Sequence, residues 1–194
     1  MFRSKRKQRA HERSTEYASC KDFQEIFAQD MVGLHQLAFL LTADQAKAEQ
    51  CFVAGLDDSI RGNPVFRQWA RAWSKRAIIQ NAIKTIAPVP PRPGKTDGTS
   101  AGSLQNGRSE KNTAVQAVSN VASWEPFERF VFVMAVLEGY SLRECSTLLG
   151  CQVQDVIAAK SLALQRLAKQ PGEEAANEGN DFQWTARLAR AQVA

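Results

Sequence analysis

The sequence predicts an all-α protein made of two small helical modules, joined by a flexible Pro/Gly-rich linker and ending in a helix-turn-helix module. Three observations predict it. Apolar residues recur at three- and four-residue steps in separate blocks before residue 87 and after residue 123, the spacing of helices that bury one face. Four of the seven prolines (Pro88, Pro90, Pro91, Pro93), then Gly94, Gly98, Gly102 and Gly107, fall between the blocks, and such a stretch cannot bury enough apolar area to offset its ordering entropy. Within the second block, Gly139 and Gly150 punctuate short apolar runs, as glycines do where helices turn sharply. The resulting division is a basic tail (1–18), a helical module (19–87), a linker (88–122), a second module (123–170) and a tail (171–194).

Taken in order, the tail is basic and polar. It reads as a disordered segment or a non-specific nucleic-acid arm. From Asp22 to Leu41 the residues Phe23, Ile26, Phe27, Met31, Leu34, Leu37, Ala38 and Leu41 predict one amphipathic helix, with His35 a lone polar residue on it. Thr42-Ala43-Asp44 offers capping side chains for a second helix to about Leu56, burying Ala46, Ala48, Cys51, Phe52 and Leu56. Adjacent Asp57 and Asp58 point about 100° apart on a helix, so they form a solvated helix end rather than an acid dyad. Asn63-Pro64 suits a helix start, and a third helix should run toward Ala87. On its helical wheel Phe66, Ala70, Trp73 and Ala77 share a face that reads as core. Arg67, Arg71 and Lys75 line another, and Trp69 and Arg76 fall together on a third. Cations interleaved with aromatic rings suit a single-stranded nucleic acid, the cations meeting backbone and the rings meeting unstacked bases. The alternative is a solvated basic face.

In the second module a helix should begin near Ser123 and carry Phe127, Val131, Met134 and Leu137. Gly139 should supply its left-handed terminus. Ser141-Leu142-Arg143-Glu144 has the capping-box form and starts a short helix closed by Gly150. A last helix, Val153 to Ala168, buries Val156, Ala163 and Leu167. A short helix, a glycine turn and a longer helix is how a recognition helix meets a major groove, although packed helix pairs are common in any helical protein. After Pro171-Gly172 the tail is polar and acidic, with Trp184, Leu188 and Ala191 on one side of a short helical pattern.

Composition excludes several classes. The 194 residues, 44% hydrophobic, suffice for packed cores, yet no apolar run approaches the roughly 20 residues of a membrane span. No apolar segment follows the basic N-terminus as in a signal peptide, so a cytoplasmic protein with reduced cysteines is expected. Four scattered cysteines and two histidines leave a zinc site or other metal cofactor without support. No nucleophile–base pair is evident, and Gly94-Lys95-Thr96 lacks the preceding glycine of a phosphate loop. Enzymatic activity is therefore not expected. The net charge is +5, and it is unevenly spread. Residues 1–13 hold Arg3, Lys5, Arg6, Lys7, Arg9 and Arg13 against Glu12, and residues 61–84 hold Arg61, Arg67, Arg71, Lys75, Arg76 and Lys84 with no acid. Residues 124–169 hold five bases and five acids, a poor balance for a duplex-binding surface.

The residues Pro126-Phe127-Glu128-Arg129-Phe130-Val131-Phe132, Leu137-Glu138-Gly139-Tyr140-Ser141-Leu142-Arg143-Glu144, Leu149-Gly150, Val156 and Leu162–Leu167 together resemble the C-terminal module of the sigma-70 family, of its extracytoplasmic-function type. Helix order, Leu37–Thr42, Ala48-Glu49 and the tryptophan-rich basic helix resemble that family's N-terminal module. The resemblance implies a winged-helix-like, three-helix DNA-binding module (sigma region 4) and a region 2-like module, with core RNA polymerase and promoter DNA as partners and an anti-sigma regulator as a further one. It implies polymerase contacts at Glu49, Gln50 and Val53, where the family more often has Asp and Gln at the latter two. It implies duplex contacts from Gln154, Asp155, Ala158, Ser161, Leu162, Gln165 and Arg166, and contacts to the melted strand from Arg67, Trp69, Arg71, Lys75 and Arg76. Ser146 stands where the family packs an alanine. A sigma-like initiation factor is the expected function. A divergent, non-initiating interaction module is the alternative, motivated by the neutral helix-turn-helix and by Gln50 and Val53.

Overall fold

The computed structural model of the chain describes residues 16–91 and 120–168. Among these residues every regular element is helical, and the β contact they form is an isolated antiparallel bridge between Tyr17 and Phe66. None of their helices is long and apolar enough to cross a membrane. The chain divides into two compact units, Met1–Ala87 and Pro88–Ala194.

The first unit contains α1 (Cys20–Gln29), α2 (Met31–Thr42), α3 (Gln45–Arg61), a 3-10 turn (Arg67–Trp69) and α4 (Ala70–Ile86). Helix α1 opens with a capping box, in which the Ser19 hydroxyl accepts from the Asp22 amide and the Asp22 carboxylate accepts from the Ser19 amide. The single helix expected over 22–41 is two helices. Asp30 sits between them at φ −112°, ψ 27°, and its carboxylate accepts from Arg71 at 2.8 Å. A short polar side chain with a partner elsewhere favours such a break. The register changes there, so Met31, expected in the core, is 56% exposed, whereas Phe23, Phe27, Leu34, Leu37, Ala38 and Leu41 are buried. Asp44 caps α3 by accepting from the Lys47 amide, and α3 continues past Leu56 to Arg61. Ala48 and Cys51 are buried on it, Phe52 and Leu56 are half-buried, and Ala46 is exposed.

Helices α3 and α4 approach closely at Gly55. A Cβ there would meet Ile78 Cγ1 at 2.6 Å and the Ile78 backbone nitrogen at 3.2 Å. Neighbouring buried hydroxyls do not need partners across the interface. Ser59 donates to the Gly55 carbonyl and Ser74 to the Ala70 carbonyl, each within its own helix.

The helix start expected at Asn63-Pro64 does not form. Val65 is buried against Phe23 and Ala70, its carbonyl accepts from the Ala18 amide at 2.8 Å, and Phe66 bridges to Tyr17. These long-range contacts hold residues 65–66 out of the helix, and α4 begins only at Ala70. Tyr17 and Ala18, assigned to the basic tail from sequence, are thus fixed to the first unit.

In the second unit the chain runs through α5 (Pro126–Phe132), a π-helical continuation (Val133–Leu137), α6 (Leu142–Leu149) and α7 (Val153–Ala168). Helix α5 starts at Pro126 rather than near Ser123, with proline in the first turn, where its missing N–H is no loss. After the exposed Pro126 it is buried all round, not on one face: Phe127, Phe130, Val131, Phe132 and even Glu128 and Arg129 are buried. Arg129 is accommodated because Nη1 donates to the carbonyls of Ala122 and Trp124 at 2.9 and 3.0 Å, closing the short helical lead-in at 120–122. The π turn ends as expected at Gly139, which is left-handed at φ 74°. The Tyr140 amide there reaches back to the Met134 carbonyl.

Both halves of the Ser141–Glu144 capping box are formed, and Gly150 is left-handed at φ 64°. Ser146 ties the turn between α6 and α7. Its carbonyl accepts from the Cys151 amide at 3.1 Å, and its hydroxyl donates to the Cys151 carbonyl at 2.7 Å. An alanine at this position would supply the first bond but not the second. Packed between these helices lie Cys145, Val156, Ala159, Ala163 and Leu167, all buried.

Candidate nucleic-acid interface

The basic–aromatic constellation expected on the first unit is split by the structure between the 3-10 turn and α4. Arg67 and Trp69 lie on the turn, while Arg71, Lys75 and Arg76 lie on α4. Trp69 is 57% exposed. A ring of that size left in solvent contributes little to the core and presents a flat apolar face to a ligand. Its neighbour in space is Phe66, in an edge-on contact at 5.3 Å and 88°. Phe66, assigned to the core from sequence, is instead 36% exposed and stacks on Tyr17 at 4.7 Å and 19°. Trp73 does turn inward, packing half-buried against the Phe23–Val65–Ala70 cluster. The outcome is a run of three aromatic rings, Tyr17–Phe66–Trp69, at the edge of the unit.

The charges around this run are less free than a stretch without local acids suggests. Arg67 pairs with Asp22 of α1 at 3.1 Å and Arg71 with Asp30 at 2.8 Å. Arg61 pairs with Asp57, and Lys84 with Asp58. Hydrogen bonds from Ser19 and the proximity of Arg67 hold the Asp22 carboxyl below its ordinary range, so it stays ionised beside Arg67. These pairs are solvent-exposed, and each is worth a few tenths to about 1 kcal/mol. A phosphate can exchange for such a carboxylate, although the net field is weaker than six unopposed bases would give. Arg76 and Lys75 are half-buried on α4. Sequence reading missed Tyr17, Asp22 and Asp30 as parts of this region. Each lies tens of residues from Arg67 and Arg71, and no local pattern links them.

Glu49, Gln50 and Val53 occupy one exposed side of α3, Val53 at 64%. Glu49 accepts from Gln45 at 3.0 Å, and Gln45 also lies 3.4 Å from His35 Nε2. The surface is open and mixed apolar–polar, suited to a protein partner.

On α7 the residues named as groove-facing do share the outward side. Gln154, Ala158, Ser161, Leu162 and Gln165 are exposed, opposite the buried Val156, Ala159, Ala163 and Leu167. Ile157 and Leu162 are each 46% exposed. Two of the named residues have other work. The Asp155 carboxylate accepts from the Gln152 amide at 3.1 Å, capping α7 from within. Arg166 forms a 3.0 Å ion pair with the buried Glu128 of α5. Burial raises the Glu128 carboxyl above its ordinary range, and Arg166 opposes that shift. The Glu128 oxygen not facing Arg166 has no hydrogen-bond partner among the described residues. Arg166 is therefore tied into the scaffold of this unit. The thiol of Cys145, behind the turn, is pushed up to about 11 by burial, as for a packing residue rather than a nucleophile.

No protein-family model, no curated protein and no solved structure matches the chain.

Proposed function

We propose that this chain is a sigma-like transcription initiation factor. In this reading the first unit holds core RNA polymerase through the Glu49–Gln50–Val53 side of α3. The same unit receives unpaired promoter bases on Trp69, with Arg67, Arg71, Lys75 and Arg76 drawing in the phosphates. The second unit is read as a three-helix, winged-helix-like helix-turn-helix module that sets α7 against duplex DNA through Gln154, Ser161 and Gln165. The factor performs no chemistry; it positions polymerase and stabilises opened strands.

The observation that carries the reading is Trp69 standing in solvent with Phe66 at its edge, two positions along the chain from each of Arg67 and Arg71. Stacking of a base on an aromatic side chain is worth about 1–3 kcal/mol. Trp69→Ala should therefore weaken single-stranded DNA binding by roughly 5- to 150-fold, with stability little changed because the ring is mostly exposed. The deciding experiment combines the full chain with core polymerase and scores both association and initiation on candidate promoters. A protein that neither joins core polymerase nor binds single-stranded DNA rejects the proposal.

One observation favours a second reading. The outward face of α7 presents Ile157, Ala158 and Leu162 with glutamines and a serine, and Arg166 at its margin is paired to Glu128. Such a face fits a protein partner, as in a non-initiating sigma-like regulator. Stoichiometric recovery of polymerase subunits with the chain, together with promoter-dependent initiation, would exclude that alternative.

A further inference from the structure

Asp30 lies between α1 and α2, where a carboxylate ordinarily caps the helix that follows. Its side chain makes no capping bond to α2. Its Oδ2 instead accepts from Arg71 Nη1 at 2.8 Å, across 41 positions of sequence. Both side chains are partly open to water, Arg71 at 55% and Asp30 at 29%. The seat of this carboxylate depends on Gly33. A Cβ at residue 33 would lie 2.6 Å from Asp30 Oδ1, so a side chain there would push the carboxylate aside. Asp22 is held differently. Its Oδ2 accepts from the Ser19 amide and the Ser19 hydroxyl at 2.7 Å each, as well as from Arg67, so it serves α1 whether or not Arg67 is engaged. Among the described residues, the hydrogen-bond partner of the Asp30 side chain is Arg71.

We infer that Asp30 is an autoinhibitory contact of the single-strand site: in the free chain its carboxylate occupies the Arg71 guanidinium in place of a nucleic-acid phosphate. The inference rests on the single-strand reading above and adds to it how that site is held in check. Arg71 follows Trp69 by two positions, in the first turn of α4, so a strand stacked on Trp69 passes within reach of it. The phosphate must then displace a carboxylate that the fold keeps beside the guanidinium. That competitor wins against a dilute strand and yields to one presented at high effective concentration. The exchange breaks one ion pair and forms another, and it needs no backbone change because both side chains already meet water.

The test uses the full chain and a thymidine 12-mer, with affinity measured across a salt series. Asp30→Asn removes the charge and keeps the side-chain shape. It should bind about 1.5- to 5-fold more tightly, the worth of an exposed ion pair, with a salt slope steeper by up to about 0.7. Glu25→Gln, on α1 and facing Lys21, controls for the loss of one negative charge and should gain less. Adding Arg71→Gln should cut the gain from Asp30→Asn to that of the control. Gly33→Ala changes no charge and favours the helix, yet it displaces the Asp30 carboxylate. It should tighten binding in the same direction, again only with Arg71 present. Hydrogen exchange in α1 and α4 checks that each variant is folded.

A gain from Asp30→Asn no larger than that from Glu25→Gln overturns the inference, as does a gain that survives Arg71→Gln. If Trp69→Ala weakens binding while Asp30→Asn and Gly33→Ala leave it unchanged, the inference fails and the single-strand reading survives. If neither the wild-type chain nor Asp30→Asn binds the 12-mer, both fail.

Discussion

Arg166 is assigned to DNA by its place on α7 and to the scaffold by its ion pair, and the two assignments predict different mutants. Its Nη1 lies 3.0 Å from Glu128, whose side chain is 5% exposed while that of Arg166 is 41% exposed. Removing one partner of a buried pair costs about 3–5 kcal/mol when both charges are sealed from water. Here water reaches the arginine side, so Arg166→Ala should cost roughly 1–3 kcal/mol after allowing for that screening. Glu128→Gln removes the stranded charge, and in that background Arg166→Ala should cost less than about 0.5 kcal/mol, as for an ordinary surface substitution. The double-mutant cycle should then return a coupling of about 1–2 kcal/mol. Hydrogen exchange on α5 and α7 amides reads the cycle within the second unit alone. An equal cost of Arg166→Ala in both backgrounds would refute the structural assignment. A salt slope for duplex binding that drops by about 1 in Glu128→Gln/Arg166→Ala relative to Glu128→Gln would return Arg166 to the DNA.

Glu128 also makes the stability of this unit depend on pH. Its folded carboxyl is raised by burial above the ordinary 4.5, so the folded state holds the proton more tightly than the unfolded one. That contribution is fully present below the unfolded value and is lost as pH rises through the folded one. Stability should fall across this window in wild type, and the part due to residue 128 should be absent in Glu128→Gln, as urea titrations at stepped pH would show. Gly55→Ala should destabilise the first unit by about 1–3 kcal/mol in chemical denaturation, because the new methyl meets Ile78 side chain and backbone. The helix propensity gained over glycine, about 1 kcal/mol, offsets only part of it; a stabilised variant would mean α3 and α4 can separate freely. Ser146→Ala should cost about 0.5–1.5 kcal/mol for the lost hydroxyl bond to Cys151, visible as faster exchange of the Cys151 and Gln152 amides, and no change there would make the hydroxyl dispensable.

The local signals in this sequence were those that a few neighbouring residues settle among themselves. Gly139 and Gly150 are left-handed, Ser141 and Glu144 form their reciprocal cap, and Asp44 caps α3, each decided within one turn of chain. The exposed side of α7 was also legible, since a 3.6-residue period fixes faces once a helix is granted. What failed was set at long range. Asn63-Pro64 carries a good helix start, yet the pairing of Val65 and Phe66 with Ala18 and Tyr17, more than 40 positions earlier in the chain, outcompetes it. Asp30 lies in an unbroken apolar period, and the break there goes with its bond to Arg71. Periodicity also misjudged α5, because a helix walled in on every side shows no polar face to reveal its orientation.

The same long-range pairing alters what charge can say about function. Counted along the chain, residues 61–84 are the most acid-free basic stretch beyond the arm. Counted in space, Asp22, Asp30, Asp57 and Asp58 stand against four of the bases. Phosphate binding at Arg61, Arg67, Arg71 or Lys84 must displace a carboxylate, which reduces its net gain and softens its salt dependence. The aromatic ring has no such competitor. Trp69 meets solvent on a unit where Arg61, Arg67, Arg71 and Lys84 are already engaged, so under the proposed function discrimination between unstacked bases and duplex would fall to stacking. The same logic applies to α7, where glutamines and half-exposed aliphatics leave hydrogen bonding and shape to do what cations do elsewhere. Among the described residues, Arg61, Arg67, Arg71 and Lys84 of the first unit and Arg166 of the second are already paired with acids. Under the proposed function, such surfaces would engage DNA effectively only with the chain held there by something else, and core polymerase seated on α3 would meet that requirement by raising the effective concentration at the DNA.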